Sequence, residues 1–127
     1  MITSKDANIY FSGDSGYGKH FTQIGENYGP FDLALIECGQ YNTMWPDIHM
    51  FPEESAQAGL DLKAKAIMPI HWGAFKLSSH AWTAPILQIR KKARTLGVPI
   101  VSPKIGAPIS IDKLPEPSSV WWATVPK

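Results

Sequence analysis

Three short apolar runs in this chain end in the same way, and that repetition constrains the fold more than any other feature. Ile9-Tyr10-Phe11 stops at a glycine-rich turn, Gly13-Asp14-Ser15-Gly16-Tyr17-Gly18. Phe31-Asp32-Leu33-Ala34-Leu35-Ile36 stops at Glu37-Cys38-Gly39, and Ile67-Met68-Pro69-Ile70 stops at His71-Trp72-Gly73. Apolar runs of this length, bounded by turn residues, read as buried parallel strands. Helix-like segments lie between them. Strands alternating with helices give an α/β layer structure with mostly parallel pairing. In such sheets ligands and metals bind at the carboxyl edge of the strands. Asp14 and His71 are thereby expected on one rim.

The intervening segments fill in a mixed sheet with flanking helices. Ile2 to Phe11 reads as a hairpin, with Lys5-Asp6-Ala7-Asn8 as its turn. Lys19 to Asn27 reads as a short helix with Phe21 and Ile24 on one face, weakened by Gly25. Tyr28-Gly29-Pro30 is a break. Gln40 to Phe51 is a long loop carrying Tyr41, Trp45, Asp47 and His49, and loops of this length are often functional. Pro52-Glu53-Glu54 opens a helix, because proline and carboxylates suit the first turn; Ala56, Leu60 and Ala64 are its expected inward face. Thr83 is an expected N-cap for a helix in which Ile86, Ile89, Ala93 and Leu96 recur at helical spacing, with Gly97 as its stop. Val98 to Val101 and Ile109 to Ile111 read as short strands, and Pro115 to Ser119 as a linker-like piece within one domain spanning residues 1–127.

Composition excludes several classes. A formal net charge of +1 lacks the footprint of a nucleic-acid binder. The basic cluster Arg90-Lys91-Lys92 with Arg94 sits late in a helix, where it faces water and complements the dipole. The single cysteine, Cys38, excludes an intrachain disulfide and a cysteine-rich zinc module. No apolar run is long enough to span a membrane, and the start is not a signal peptide. A lone cysteine without a leader fits the cytoplasm. The chain opens in mid-hairpin, as a piece of something larger would.

Asp14 and His71 suit a metal site of oxygen and nitrogen donors. Taken alone, Asp14 could instead cap a helix or an Asx turn. Two donors are too few for a tight zinc site, which takes at least three from the protein. His49 is a third candidate, or else a surface histidine beside a helix start. Glu37 could sit on the same rim or accept hydrogen bonds from a loop. His20 and His80 follow no apolar strand and read as structural or exposed. Cys38 could be a nucleophile or a small buried hydrophobe. The glycine loop lacks the spacing of the dinucleotide and P-loop fingerprints.

Taken in order, Gly13-Asp14-Ser15-Gly16-Tyr17, Ile24-Gly25, Gly29-Pro30-Phe31-Asp32-Leu33-Ala34, His49 with Pro52-Glu53-Glu54, and Ile70-His71-Trp72-Gly73-Ala74-Phe75 resemble the carboxyl-terminal half of a metallo-β-lactamase-fold hydrolase. The branch is similar to N-acyl-phosphatidylethanolamine phospholipase D, the RomA-like bacterial proteins and the lactonases of ascorbate phosphate. The resemblance implies half of an αββα sandwich whose edge holds two zinc ions in the complete protein. It implies that Asp14 bridges the metals, that His71 ligates the second, and that His49 lies near the substrate phosphate. Tyr17 and Trp72 are implied as pocket neighbours. The implied reaction is hydrolysis of a phosphodiester or a lactone by a hydroxide held between the metals. Ser15 replaces the threonine of many relatives. The His-x-His-x-Asp-His motif of the family's first half is not found, so the expectation is a fragment with partial or no zinc and weak or no activity alone. The surface left by a missing half is expected to drive homo-oligomerisation. The alternative is a non-catalytic binding or assembly module that retains the fold.

Overall fold

The structure, a computed structural model, describes residues 1–75, 77–114 and 120–125. Its elements are β1 (Ile2–Thr3), β2 (Asn8–Phe11), α1 (His20–Tyr28), β3 (Leu33–Glu37), α2 (Pro52–Asp61), β4 (Ile67–Ile70), α3 (Ala84–Leu96) and a closing 3-10 turn (Trp121–Thr124). The sheet order is β1-β2-β3-β4. β1 and β2 are antiparallel, while β2, β3 and β4 run parallel. This is the mixed α/β sheet that the strand ends implied. The hairpin turn lies one residue earlier than expected. Ser4 N–H donates to Ala7 O at 2.8 Å, and the Ser4 hydroxyl accepts from the Asp6 and Ala7 amides.

One face of the sheet carries the larger core. Tyr10, Ala34, Ile36, Cys38 and Ile67 meet Phe21 of α1, Ala56 and Ala58 of α2, and Ile86, Ile89 and Ala93 of α3 in a single apolar cluster. Burying each large side chain there contributes about 1.5–3 kcal/mol. The other face has a smaller cluster in which Leu33, Ala66 and Val101 gather Leu35, Met68, Ile109, Ile111 and Leu114. Asp32 ties the start of β2 to its surroundings. Its carboxylate accepts the Asn8 N–H at 2.8 Å and the Lys65 ammonium at 2.7 Å. Both contacts hold the Asp32 carboxyl below its ordinary range, the lysine contact most.

Several local expectations fail, each for a physical reason. Leu60 is exposed, because α2 turns Ser55, Ala56, Ala58 and Gly59 inward instead. Glu54 reaches back to accept the Phe51 N–H at 2.9 Å, so α2 does start where its carboxylates indicated. Thr83 stands at the N-cap of α3 without a side-chain cap, its backbone already helical. Gly97 ends α3 in the left-handed region at φ 72°. Residues 98–101 make only a bridge between Ile67 and Ile100. Pro99 and Pro103 flank it without N–H groups, so no ladder extends. Ile109 and Ile111 pack on the smaller cluster, and only Ser110 and Lys113 pair there. Arg90 leaves the solvated basic cluster and lies over the Trp122 ring, 5.2 Å from its centroid. The linker-like Pro115–Ser119 piece lies outside the described residues.

Gly25 is the residue that most weakened the reading of α1, and α1 needs it. A Cβ there would collide with the Asp61 carbonyl oxygen and reach the Leu62 Cα at 2.8 Å. Alanine gains up to about 1 kcal/mol of helix propensity. Overpacking against backbone costs about 1–3 kcal/mol, because backbone cannot swing aside. Gly25→Ala should therefore lower the denaturation midpoint, and an unchanged or raised midpoint would show that α1 and α2 are not in close contact. Cys38 is fully buried, and burial, followed by the charge of Glu37, pushes its thiol well above the ordinary range. The nucleophile reading requires the opposite. The folded chain should resist a chromogenic thiol reagent that labels it at once in denaturant; rapid native labelling would reopen that reading.

Candidate functional site

The carboxyl ends of β2, β3 and β4 lie side by side, as parallel pairing requires. After β2, Ser12 N–H donates to Leu35 O at 3.0 Å and keeps the chain on the sheet. Gly13 then turns with φ 60° and delivers Asp14 to the rim. After β4, His71 has φ 63°, a strained value for a residue with a side chain. Such residues persist only when their surroundings over-determine them, at a cost of about 1–3 kcal/mol. Here Cys38 N–H donates to Ile70 O at 3.2 Å, and Gly39 lies against the His71 carbonyl. A Cβ at Gly39 would overlap that carbonyl and stand 2.9 Å from the Trp72 Cα. The strand ends approach this closely because Gly39 has no side chain.

The long loop supplies the third group. Trp45 donates its indole N–H to Gln40 O at 2.7 Å, Gly16 N–H donates to Asp47 O at 3.1 Å, and His49 N–H donates to Trp45 O at 3.2 Å. These bonds hold His49 beside the rim, only 6% exposed. Asp14 Oδ1 lies 3.7 Å from His71 Nε2, and the His49 and His71 rings are 5.2 Å apart. One donor atom each from Asp14, His49 and His71 falls within 4.8 Å of the others. Tetrahedral zinc with bonds of about 2.0–2.1 Å sets its donors roughly 3.4 Å apart. The Asp14–His71 pair meets that spacing within a few tenths of an ångström, and its oxygen and nitrogen chemistry suits a divalent ion. Their side chains are 61% and 40% exposed, so both remain open to further partners.

Glu37 is the group whose place the sequence left open. It is fully buried at the end of β3. Its Oε1 accepts the Met50 N–H at 2.8 Å, and its Oε2 lies 3.5 Å from His49 Nδ1. Burial pushes the carboxyl up to about 7 against the opposing pull of the Met50 amide and the nearby His71. The signal in the sequence was a charged residue directly after a fully apolar strand, where only a specific partner offsets the cost of desolvation.

Tyr17 and Trp72 point to other contacts as well. The Tyr17 hydroxyl donates to Asp61 Oδ2 at 2.6 Å, and its ring stacks on Phe21. That hydrogen bond is the main cause that pushes the phenol up to about 12. Trp72 donates its indole N–H to Pro69 O at 3.0 Å and stacks on Trp121, 5.5 Å between centroids. With His71 it lines a cavity of about 320 Å³ that Ser102, Ile105 and Trp121 also border. His20 packs on Phe21, and His80 stacks on Tyr41. Among the described residues neither joins the metal-competent group.

Comparison with known proteins places this geometry in a family. Residues 1–72 match the beta-lactamase superfamily domain. An uncharacterised protein of Mycobacterium tuberculosis is 47% identical over 100 residues, which cover 76% of this chain and 27% of that protein. The outer membrane protein RomA of Klebsiella pneumoniae is 52% identical over 73 residues, covering 58% of this chain and 55% of RomA. The N-acyl-phosphatidylethanolamine-hydrolyzing phospholipase D 1 of Caenorhabditis elegans is 33% identical over 98 residues, covering 75% and 27%. A solved metallo hydrolase of the archaeon Ignicoccus hospitalis shares the fold, with a TM-score of 0.61 and 22% identity over 79% of this chain and 39% of its own. The chain thus spans about a quarter of the mycobacterial and nematode relatives. With the strand-end rim of Asp14 and His71 already in place, the matched domain makes this chain a member of the beta-lactamase superfamily, which includes metal-dependent hydrolases and phospholipase D-like proteins.

Proposed function

We propose that this chain supplies part of the active site of a zinc-dependent hydrolase that cleaves a phosphodiester or a lactone. The observation that carries the reading is the 3.7 Å approach of Asp14 and His71 on adjacent strand ends, with the buried His49 beside them. Asp14 would bridge two ions, and His71 would complete the shell of one. When bound, such ions lower the pKa of a water molecule and polarise the phosphoryl or carbonyl oxygen under attack. His49, set back from the exposed pair, would hold the charged oxygen of the substrate. Trp72 would form one wall beside His71, and Tyr17 would fix the glycine-rich turn from its outer side through Asp61.

A phospholipid-like phosphodiester is the favoured substrate class, supported by the similarity to a phospholipase D over three quarters of the chain. No helix among the described residues is long and apolar enough to cross a membrane. Among the described residues three donors gather, fewer than two ions need, so the remaining ligands would come from residues beyond this chain. The chain alone would then bind zinc weakly and turn over no substrate, and β1, an edge strand of the sheet, would favour self-association.

Calorimetric zinc titration and elemental mass spectrometry test this directly. The chain should retain well under one zinc after dialysis, and Asp14→Asn should weaken binding at least tenfold, about 1.4 kcal/mol. Equal affinity in the variant would end the bridging role. Two tightly held ions per chain, or clear zinc-dependent turnover of a phosphodiester, would overturn the partial site.

A further inference from the structure

His49 needs a group that aims its ring. A histidine ring can present either nitrogen to a site, and the choice is set by the hydrogen bond the other nitrogen makes. His49 Nδ1 is buried, and no hydrogen bond of ordinary length reaches it; the same holds for Glu37 Oε2. The two atoms lie 3.5 Å apart. Each lies within reach of the other, the Ser15 N–H also approaches the Glu37 carboxylate, and a buried polar atom left without a partner is costly. Turning the ring over would set a carbon against the Glu37 oxygen, so the observed orientation is the one that turns a ring nitrogen toward it.

Glu37 is itself fixed from several sides. Its N–H donates to Ser12 Oγ at 3.0 Å, at the end of β2. Its carbonyl accepts the Ser55 hydroxyl of α2 at 2.7 Å. Its Oε1 is occupied by the Met50 N–H, the residue next to His49. The carboxylate therefore has one oxygen on the backbone of the long loop and the other facing the imidazole.

We propose that Glu37 is a positioning residue for His49: Glu37 Oε2 accepts the Nδ1–H and so presents Nε2 to Asp14, His71 and the substrate. The inference rests on the reading that His49 faces substrate, and it adds the group that selects its tautomer. With Nδ1 holding its proton against Glu37, Nε2 of the neutral ring carries the lone pair; a second proton, taken from solvent, adds there and makes Nε2–H the donor that holds a charged substrate oxygen. Carboxylate–imidazole pairs of this kind orient functional histidines in metal sites generally. Contacts of this sort are often long before substrate binds.

The test reads the tautomer by long-range proton–nitrogen NMR on the ¹⁵N-labelled, metal-free chain at about pH 8, where an ordinary imidazole is neutral. The His49 signals are assigned by their loss in His49→Asn. The wild-type ring should carry its proton on Nδ1. Glu37→Gln keeps the shape of the side chain. With its carbonyl oxygen still on the Met50 N–H, its NH₂ faces Nδ1 and should move the ring proton to Nε2. A wild-type ring protonated on Nε2, or a tautomer unchanged in Glu37→Gln, overturns the proposal. If Glu37→Gln does not fold, the wild-type spectrum and the smaller Glu37→Asp substitution decide. Glu37→Asp withdraws the carboxylate and should give a mixture of tautomers, and an unmixed Nδ1–H form there counts against the proposal. No metal or substrate enters this measurement. A failed zinc titration would leave the tautomer result standing, and the reverse also holds.

Discussion

A carboxylate buried at the end of the central strand β3 is the constraint on which the rim of this molecule depends. Ionised carboxyl groups are costly to remove from water unless hydrogen bonds replace the hydration. Glu37 is fully buried, and the chain is arranged around the need to satisfy it. Ser12 meets its backbone N–H, Ser55 meets its carbonyl, and Met50 meets its Oε1. Those three residues belong to the exit of β2, the start of α2 and the long loop. The segments that deliver Asp14 and His49 are thus both fastened to one residue of β3. A loop as long as residues 40–51 would otherwise hold its groups loosely.

The other side of the rim is set by sterics. β3 and β4 pair in parallel up to Glu37 and Ile70, and both chains must then turn without a clash. Gly39 gives up its side chain, and His71 accepts a positive φ. An unstrained His71 would continue along the strand direction and carry its side chain off the rim. The strain therefore sits at the residue that faces Asp14, where it sets a distance that function can use. Trp72 follows at once, and its stacking on Trp121 closes the turn with apolar weight far along the chain. Trp121 thus contributes to the position of His71 through Trp72.

How much of this was legible follows from the range over which each signal acts. The strand ends were legible because apolar runs and the turns that stop them are local, and parallel order then carries Asp14 and His71 to one edge. The pairing of Glu37 with His49 was not, since it joins residues that are neighbours only after the long loop has folded back. Glu37 could be read as a rim group or as an acceptor for a loop, and it takes the second role while also facing the site histidine. Leu60 was misplaced because α2 packs on the sheet through small residues, and a large apolar residue in its last turn is left outside. Arg90 was read from its neighbours in sequence, whereas the aromatic ring that holds it arrives from residue 122. The strands expected at 98–101 and 109–111 had the right apolar content, but proline removes the donors that a ladder needs in the first of them.

The site has an inner and an outer layer, and the difference between them bears on how it would be completed. Asp14 and His71 are largely open to solvent, so their lone pairs can take new partners at little cost in desolvation. His49 and Glu37 are dry, with Nδ1 and Oε2 3.5 Å apart. A buried pair alone would be rigid but could not recruit an ion, and an exposed pair alone would bind one without a preferred geometry. On the function proposed above, the dry pair would set the direction from which a substrate oxygen approaches, and the wet pair would leave coordination positions for further donors. Preorganisation in the interior with open valence at the surface lets a site keep its geometry and still take further donors.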